Sequence, residues 1–373
     1  NPNIVYSESH GGNASRLDLG SGALYSIMRG SGGRGVNFED SLIVARGDTT
    51  TPVNPRISAA LAAYRAKAAA DSAARYRFNW SAPYMLSNHS PTTIYMGANR
   101  LLKSTDRGDN FYPISPDLST ADSMRIKVST KTTGGITSDA TGAETYGTIT
   151  AVAESPVRPG ILFAGTDDGN VWMTTNDGGA WTNLTKRFPG APAKAWVSRV
   201  EASHFDTATV WVAIDAHRDN DFRPYLYVSN DFGKTFRSIS NNLPTGGPDF
   251  VHVIREDPYN RDLLFVGTDV GAYVSTNRGA SWQKFMTDMP TVPVHDLRIH
   301  PRDHEIIAAT HGRSIWITDI APLEQMVDSS MSKSAYFFQP TQAYQYALVN
   351  TQAWNGNKLF VADNPPYGAT FTY

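Results

Sequence analysis

The chain has 373 residues, 40% of them hydrophobic and 18% charged, with a formal net charge of −2. That is ample for a sizeable core, and it offers no electrostatic case for nucleic acid. Cysteine is absent, which excludes a disulfide framework and thiolate metal sites, and no apolar run is long enough to span a membrane.

Taken in order, the chain repeats itself. The stretches NPNIVYSESHGG (1–12), HSPTTIYMGANR (89–100), SPVRPGILFAGTDDG (155–169), HFDTATVWVAIDAHR (204–218), DPYNRDLLFVGTDVG (257–271) and HPRDHEIIAATHGRS (300–314) share one form. A strand ends in a turn, often with Pro, and a β-branched, aromatic strand follows. Six units result, each of up to four strands, a to d from inside to outside: A over 1–28, B over about 78–116, C over 147–185, D over 196–241, E over 249–286 and F over 292–320. Unit A begins at the a–b turn and so lacks a strand a. That register predicts a chain that starts inside a blade and a ring of seven or more blades in an intact protein.

Two insertions interrupt the repeat. Residues 28–77 are Gly-rich and then Ala-rich; propensity predicts a helix over 56–75, with Pro55 near its start. Residues 114–147 form a long loop rich in Ser, Thr, Gly and Asp, and compact domains rarely keep such loops without a use. The repeat unit spans 1–326. Residues 327–373 change character and end in NPPYGATFTY (364–373), which reads as the opening of an appended β domain. Asn-X-Ser/Thr sequons occur at Asn13, Asn79, Asn88 and Asn183, a pattern too short to establish secretion.

A second repeat runs in step with the first. It is Ser/Thr, any, Asp/Asn, any, Gly, any, any, aromatic: Ser104, Asp106, Gly108 and Phe111; Thr174, Asn176, Gly178 and Trp181; Ser229, Asp231, Gly233 and Phe236; Ser275, Asn277, Gly279 and Trp282. Asp or Asn accepts hydrogen bonds from its own turn, Gly supplies a positive φ, and the aromatic pins the following strand to the core. The role is structural. Unit A carries a degenerate copy with Asp18 and Gly20, and unit F carries none.

This turn resembles the Asp-box, or BNR repeat, of the sialidase-like β-propellers. The resemblance implies an all-β propeller of four-stranded blades. The stretch from about 78 to 326, with GTDDG (165–169), GGITSDATGAETYGTI (134–149), IHPRDHEIIAATHGRSIWI (299–317) and the NPPYGA tail, is similar to large bacterial proteins described as sortilin N-terminal-like or BNR-repeat glycosyl hydrolases. Animal sortilins carry cysteines and this chain has none, so a sorting-receptor role does not transfer. The resemblance implies a secreted, periplasmic or cell-surface protein.

Propeller geometry places the a–b and c–d turns on the bottom face, and the b–c tips and d–a connections on top. Irregular polar sequence therefore collects on the top face, where loops over a rigid scaffold carry function. The ligand-binding candidates there are His10, Arg100, Glu144, Tyr146, Asp215, His217, Arg218, His311 and Arg313. Asp167 or Asp168 with Asp269 would supply the carboxylate pair of a glycosidase across the channel mouth. The competing reading of Gly-Thr-Asp-X-Gly is a hairpin turn whose Asp bonds its own backbone. Arg100, Arg218 and Arg313 come from three blades, yet no Tyr–Glu pair stands beside them as a sialidase requires. His10, His217 and His311 share the face without metal-ligand spacing, so no metal and no cofactor is expected. Trp172, Trp181, Trp211, Trp282 and Trp316 read as blade core, whereas Trp80, Trp196 and Tyr146 start a strands near the channel. Two functions follow: a non-enzymatic binding module for a protein, peptide or carbohydrate, alone or within a larger assembly, or a polysaccharide hydrolase.

Overall fold

The computed structural model describes residues 3–28, 76–127, 145–343, 345 and 367–373, with 136–137 and 140–141. The helix expected over 56–75 and the candidate Glu144 lie outside the described residues.

Six antiparallel sheets follow one another in chain order. Blade A holds β1 (Ile4–Ser9), β2 (Asn13–Asp18) and β3 (Leu24–Met28). Blade B holds β4 (Tyr84–Leu86), β5 (Ile94–Gly97), β6 (Leu101–Ser104) and β7 (Tyr112–Pro113). A short pair, β8 (Ile136–Thr137) and β9 (Ala140–Thr141), precedes blade C, which has β10 (Ile149–Glu154), β11 (Leu162–Thr166), β12 (Val171–Thr174) and β13 (Thr182–Asn183). Blade D has β14 (Trp196–Ala202), β15 (Val210–Asp215), β16 (Tyr225–Ser229) and β17 (Arg237–Ser238). Blade E has β18 (Val251–Glu256), β19 (Leu264–Thr268), β20 (Gly271–Ser275) and β21 (Gln283–Lys284). Blade F has β22 (Val294–His300), β23 (Glu305–Thr310) and β24 (Ile315–Asp319). Among the described residues three short helices, α1 (Ser123–Lys127), α2 (Ala321–Glu324) and α3 (Asp328–Met331), lie outside the sheets.

This is a six-bladed β-propeller. The first strands of all six blades line one channel of about 850 Å³. In blade A that strand is β1, and it runs the opposite way to its counterparts. Its start pairs with the end of β2 beside the Asp18 turn, and Arg16 on β2 reaches the bottom-face turn of blade B at Arg107 and Asp109. Its end leads to Gly11, which bonds Trp80 ahead of β4. Blade A therefore starts at strand b, as its sequence register implied. Blade F stops at strand c, and Ile315 and Ile317 on β24 are exposed.

The core sits between blades rather than within one. One buried cluster joins blade C to D through Phe163, Val197, Val212 and Tyr227, another joins D to E through Trp211, Leu226, Ile254 and Val266, and a third joins E to F through Phe265, Val294 and Ile306. Strand b is buried on both faces in blades C and E, so LFAGT and LFVGT read as continuous apolar runs instead of alternating. Each large side chain so buried contributes about 2 kcal/mol. Glycine sits where neighbouring blades come closest. A Cβ at Gly165 would lie 2.3 Å from Val197 Cγ1, and one at Gly267 would lie 2.6 Å from the Val294 carbonyl oxygen.

The four repeat turns share one bonding pattern. The first-position hydroxyl of Ser104, Thr174, Ser229 or Ser275 donates to the Asp106, Asn176, Asp231 or Asn277 side chain at 2.7–2.9 Å. It also accepts from the N–H of Gly108, Gly178, Gly233 or Gly279 at 2.8–3.1 Å. The hydroxyl is thus the hinge of the turn. The residue before each Gly also has positive φ, at Arg107, Asp177, Phe232 and Arg278. Trp181 and Trp282 then donate their indole N–H to Ile114 and Ile239 of the preceding blade.

Candidate functional site

The upper mouth is built from two equivalent positions repeated around the ring. In blades C to F the register of strands a and b slips by one residue, leaving Thr150, Ser198, His252 and His295 as the extra residue of each bulge. A bulge re-aims its side chain out of the pleat. Thr150 and Ser198 use theirs to bond the Val197 and Val251 carbonyls of the next blade. His252 and His295 carry imidazoles there instead. The second position is the end of strand b, occupied by Asp167, Asp215, Asp269 and His311.

Blades D, E and F bring these side chains together. His217 stacks on Phe250 with centroids 4.6 Å apart, Phe250 meets His252 edge-on at 5.0 Å, His252 lies 4.3 Å from His295, and His295 lies 5.1 Å from His311. Five rings so span three blades. His252 Nε2 is 3.0 Å from Asp269 Oδ1. Both Asp215 oxygens lie 2.7–2.8 Å from His217 Nδ1, so Nδ1 points its hydrogen at the carboxylate. One donor atom each from His252, Asp269 and His295 lie within 4.8 Å of one another. Burial lowers His252, with Asp269 opposing. Partial loss of water at the crowded rim and the neighbouring His252 and His311 push His295, though its side chain is exposed, down to about 4. Both imidazoles are therefore neutral near pH 7, with lone pairs to offer.

The same rim carries flat apolar surface. The Arg218 guanidinium lies 4.1 Å over the Trp196 ring, Phe222 is exposed, and Phe222 sits 6.1 Å from Phe250. A recess of about 700 Å³ between Asn220–Arg223 and Thr245–Pro248 opens beside them.

The other sequence candidates are dispersed. Asp167 and Asp168 are 7% and 1% exposed. Asp167 accepts from the Gly147 and Thr148 N–H groups and the Thr148 hydroxyl, and Asp168 from Thr120 N–H, Thr120 Oγ1 and Thr166 Oγ1. They tie down the loop ahead of blade C. Burial and the adjacent Asp168 push Asp167 up to about 8. Tyr146 is buried and accepts from Arg125. Arg100 donates to the Ser115 carbonyl, Arg313 is exposed on blade F, and His10 stacks on Trp80 at 3.9 Å, on blade A's side of the mouth.

Below the mouth the channel wall is charged. Arg255 donates to Glu201 at 2.5 Å, to the Leu297 carbonyl at 2.7 Å and to Asp296 at 2.9 Å. Arg199 shares Asp296, and Arg298 lies 3.3 Å from it. This network binds the inner strands of blades D, E and F to one another. Its three arginines are not Arg100, Arg218 and Arg313, the trio to which the sequence pattern points.

Comparison with known proteins places the fold. No protein-family model matches the chain, and no curated protein does. Among solved structures, the outer coat vertex of COPII on membranes aligns with a TM-score of 0.51 at 10% identity, over 85% of this chain and 67% of that one. The chain shares the β-propeller fold. An ancestral GH74 enzyme aligns at 16% identity and TM-score 0.48, over 71% of this chain and 34% of that one. The GH74 xyloglucanase from Xanthomonas campestris aligns at 13% and 0.41, over 84% and 50%. The chain spans about a third to a half of the length of these enzymes. At such identities the likeness concerns the fold alone, and function has to be argued from the site.

Proposed function

We propose that this chain is a non-enzymatic, extracytoplasmic binding module of the Asp-box propellers, whose ligand docks on the upper mouth of blades D, E and F. The observation that carries the reading is the convergence there of the His217-to-His311 ring ladder, two carboxylates and the Trp196, Phe222 and Phe250 surfaces. Flat rings beside hydrogen-bonding imidazoles suit a saccharide or a peptide with exposed polar and apolar groups. Partner surfaces on other blades would serve a larger assembly. Among the described residues no helix is long and apolar enough to cross a membrane.

The polysaccharide hydrolase is the second reading, and Asp167 is what favours it, because a carboxyl raised to about 8 is what a general acid needs near neutral pH. Against it, the Asp167 and Asp168 oxygens accept from six close donors of the surrounding chain. A polysaccharide and sialoside panel assayed for released reducing ends and free sialic acid separates the two readings. The binding reading expects no release by the folded protein. Release that disappears in Asp167→Asn, Asp168→Asn or Asp269→Asn would establish the hydrolase.

A further inference from the structure

We infer that His252, Asp269 and His295 form a binding site for one divalent transition-metal ion, with zinc the best fit. Three donors of the right types lie within 4.8 Å of one another. Tetrahedral zinc with bonds of about 2.0–2.2 Å needs its ligand atoms roughly 3.3 Å apart, and His252 Nε2 and Asp269 Oδ1 already stand at 3.0 Å. The remaining contraction falls on His295, which is exposed and can turn without disturbing the core. Its partner ring, His311, lies 5.1 Å away and supplies a third imidazole beside the three donors.

The donor set selects the ion. Two imidazoles and one carboxylate suit zinc, cobalt, nickel and copper, whereas calcium and magnesium require oxygen ligands. Chemical balance is simple. The hydrogen that His252 Nε2 shares with Asp269 moves to Nδ1, the imidazole remains neutral, and the carboxylate stays ionised; two neutral ligands and one anion leave a site charge of +1. Coordination open to solvent leaves room for water or a ligand atom. Around the three ligands stands a supporting shell. Phe250 packs edge-on against His252, and the His217–Asp215 pair stacks behind Phe250. Such outer packing holds the His252 ring in place.

The two bulges explain why the ligands meet. His252 and His295 occupy the same register position in adjacent blades, so the ring's own repeat sets their imidazoles side by side. Thr150 and Ser198, at the same position of blades C and D, bring no imidazole. One site is therefore expected, at the E–F junction.

The test uses the untagged protein, since a polyhistidine tag would bind the same ions. Titration with zinc chloride by calorimetry, and with cobalt chloride by visible absorption, reads stoichiometry and geometry without any activity assay or organic ligand. Its failure would thus leave the ligand-binding reading of the mouth to its own experiment. One ion per chain is expected, with tetrahedral cobalt bands and affinity at least tenfold weaker in His252→Ala and in His295→Ala. His10→Ala, across the mouth, should bind as the parent does. His295 is exposed, so His295→Ala should fold, with circular dichroism as the check; Asp269→Asn provides a second, near-isosteric variant. Absence of binding by the parent, or parent-like affinity in folded His295→Ala or Asp269→Asn, would overturn the assignment.

Discussion

Replacing Glu324 by Gln should remove a fall in stability that the parent shows as pH rises. Glu324 ends α2 beneath blades E and F, with its side chain 6% exposed and Oε2 at 2.5 Å from His304 Nδ1. Asp257 is fully buried, and its Oδ1 accepts from the Tyr259 and Asn260 N–H groups. Asp257 Oδ2 and Glu324 Oε1 have no donor among the described residues, and the two carboxyls interact with each other, so a proton on Glu324 would join them. Burial and the Asp257 charge push Glu324 up to about 7 from an ordinary 4.5. Between those values the native state holds a proton that the unfolded state has lost. The stabilisation is therefore complete below about pH 4.5 and is lost as pH rises through about 7. The full shift would be worth about 3 kcal/mol; His304, a third exposed, admits water beside the pair, and screening softens this to about 2 kcal/mol. An unfolding entropy of about 0.8 kcal/mol/K for a chain of this size converts that to a melting shift of about 2–3 °C. The amide of the Glu324→Gln variant would keep a donor toward Asp257 at every pH. Melting by circular dichroism across about pH 5 to 8 at fixed ionic strength should give a parent-minus-variant difference that shrinks or reverses as pH rises. Asp167 and Glu256, also raised by burial, slope the same way in both proteins and cancel in the difference. A pH-independent difference would refute the shared proton.

Three further outcomes are expected. Arg255→Ala leaves Glu201 without its cation and Asp296 with Arg199 and Arg298 alone in the channel wall and should cost about 3–5 kcal/mol by chemical denaturation, with Arg255→Lys losing less. Gly178→Ala puts a Cβ 2.2 Å from the Ile114 carbonyl oxygen at a φ of +90° and should cost more than about 2 kcal/mol, whereas Gly190→Ala meets nothing within 4 Å and should cost about 1 kcal/mol, both read from melting curves. Ser229→Ala removes the hydroxyl that joins Asp231 to the Gly233 N–H and should cost about 1–2 kcal/mol in the same assay.

The six blades of this chain, their order and the turns were legible because they are local. A turn is specified within eight residues, and strand b announces itself by its apolar run. Even the reversed run of β1 in blade A fits the match of Asn1-Pro2 to the a–b turns of the other repeats. The mouth was legible only in part. His217, His311, Asp215 and Asp269 stand at strand ends, where sequence reasoning looks for function. His252 and His295 stand second in strands that begin Val-His, and simple alternation assigns them to one face of a sheet. Their convergence depends on a bulge, which one sequence does not announce. A trace was present: Thr150, Ser198, His252 and His295 follow an apolar residue at the same point of four successive repeats. The fate of Asp167 and Asp168 was less accessible, since their donors at Thr120, Gly147 and Thr148 come from a loop with no periodic pattern.

The most direct test of the mouth as a binding site is a glycan and peptide array probed with the intact protein and with a Trp196→Ala, Phe222→Ala double variant, each bound compound then being assayed for cleavage. The account predicts retention of a defined ligand class by the parent, loss of that retention in the folded variant, and recovery of every bound compound intact. Undiminished retention by the variant, or cleavage of the bound compound that Asp167→Asn abolishes, would contradict it.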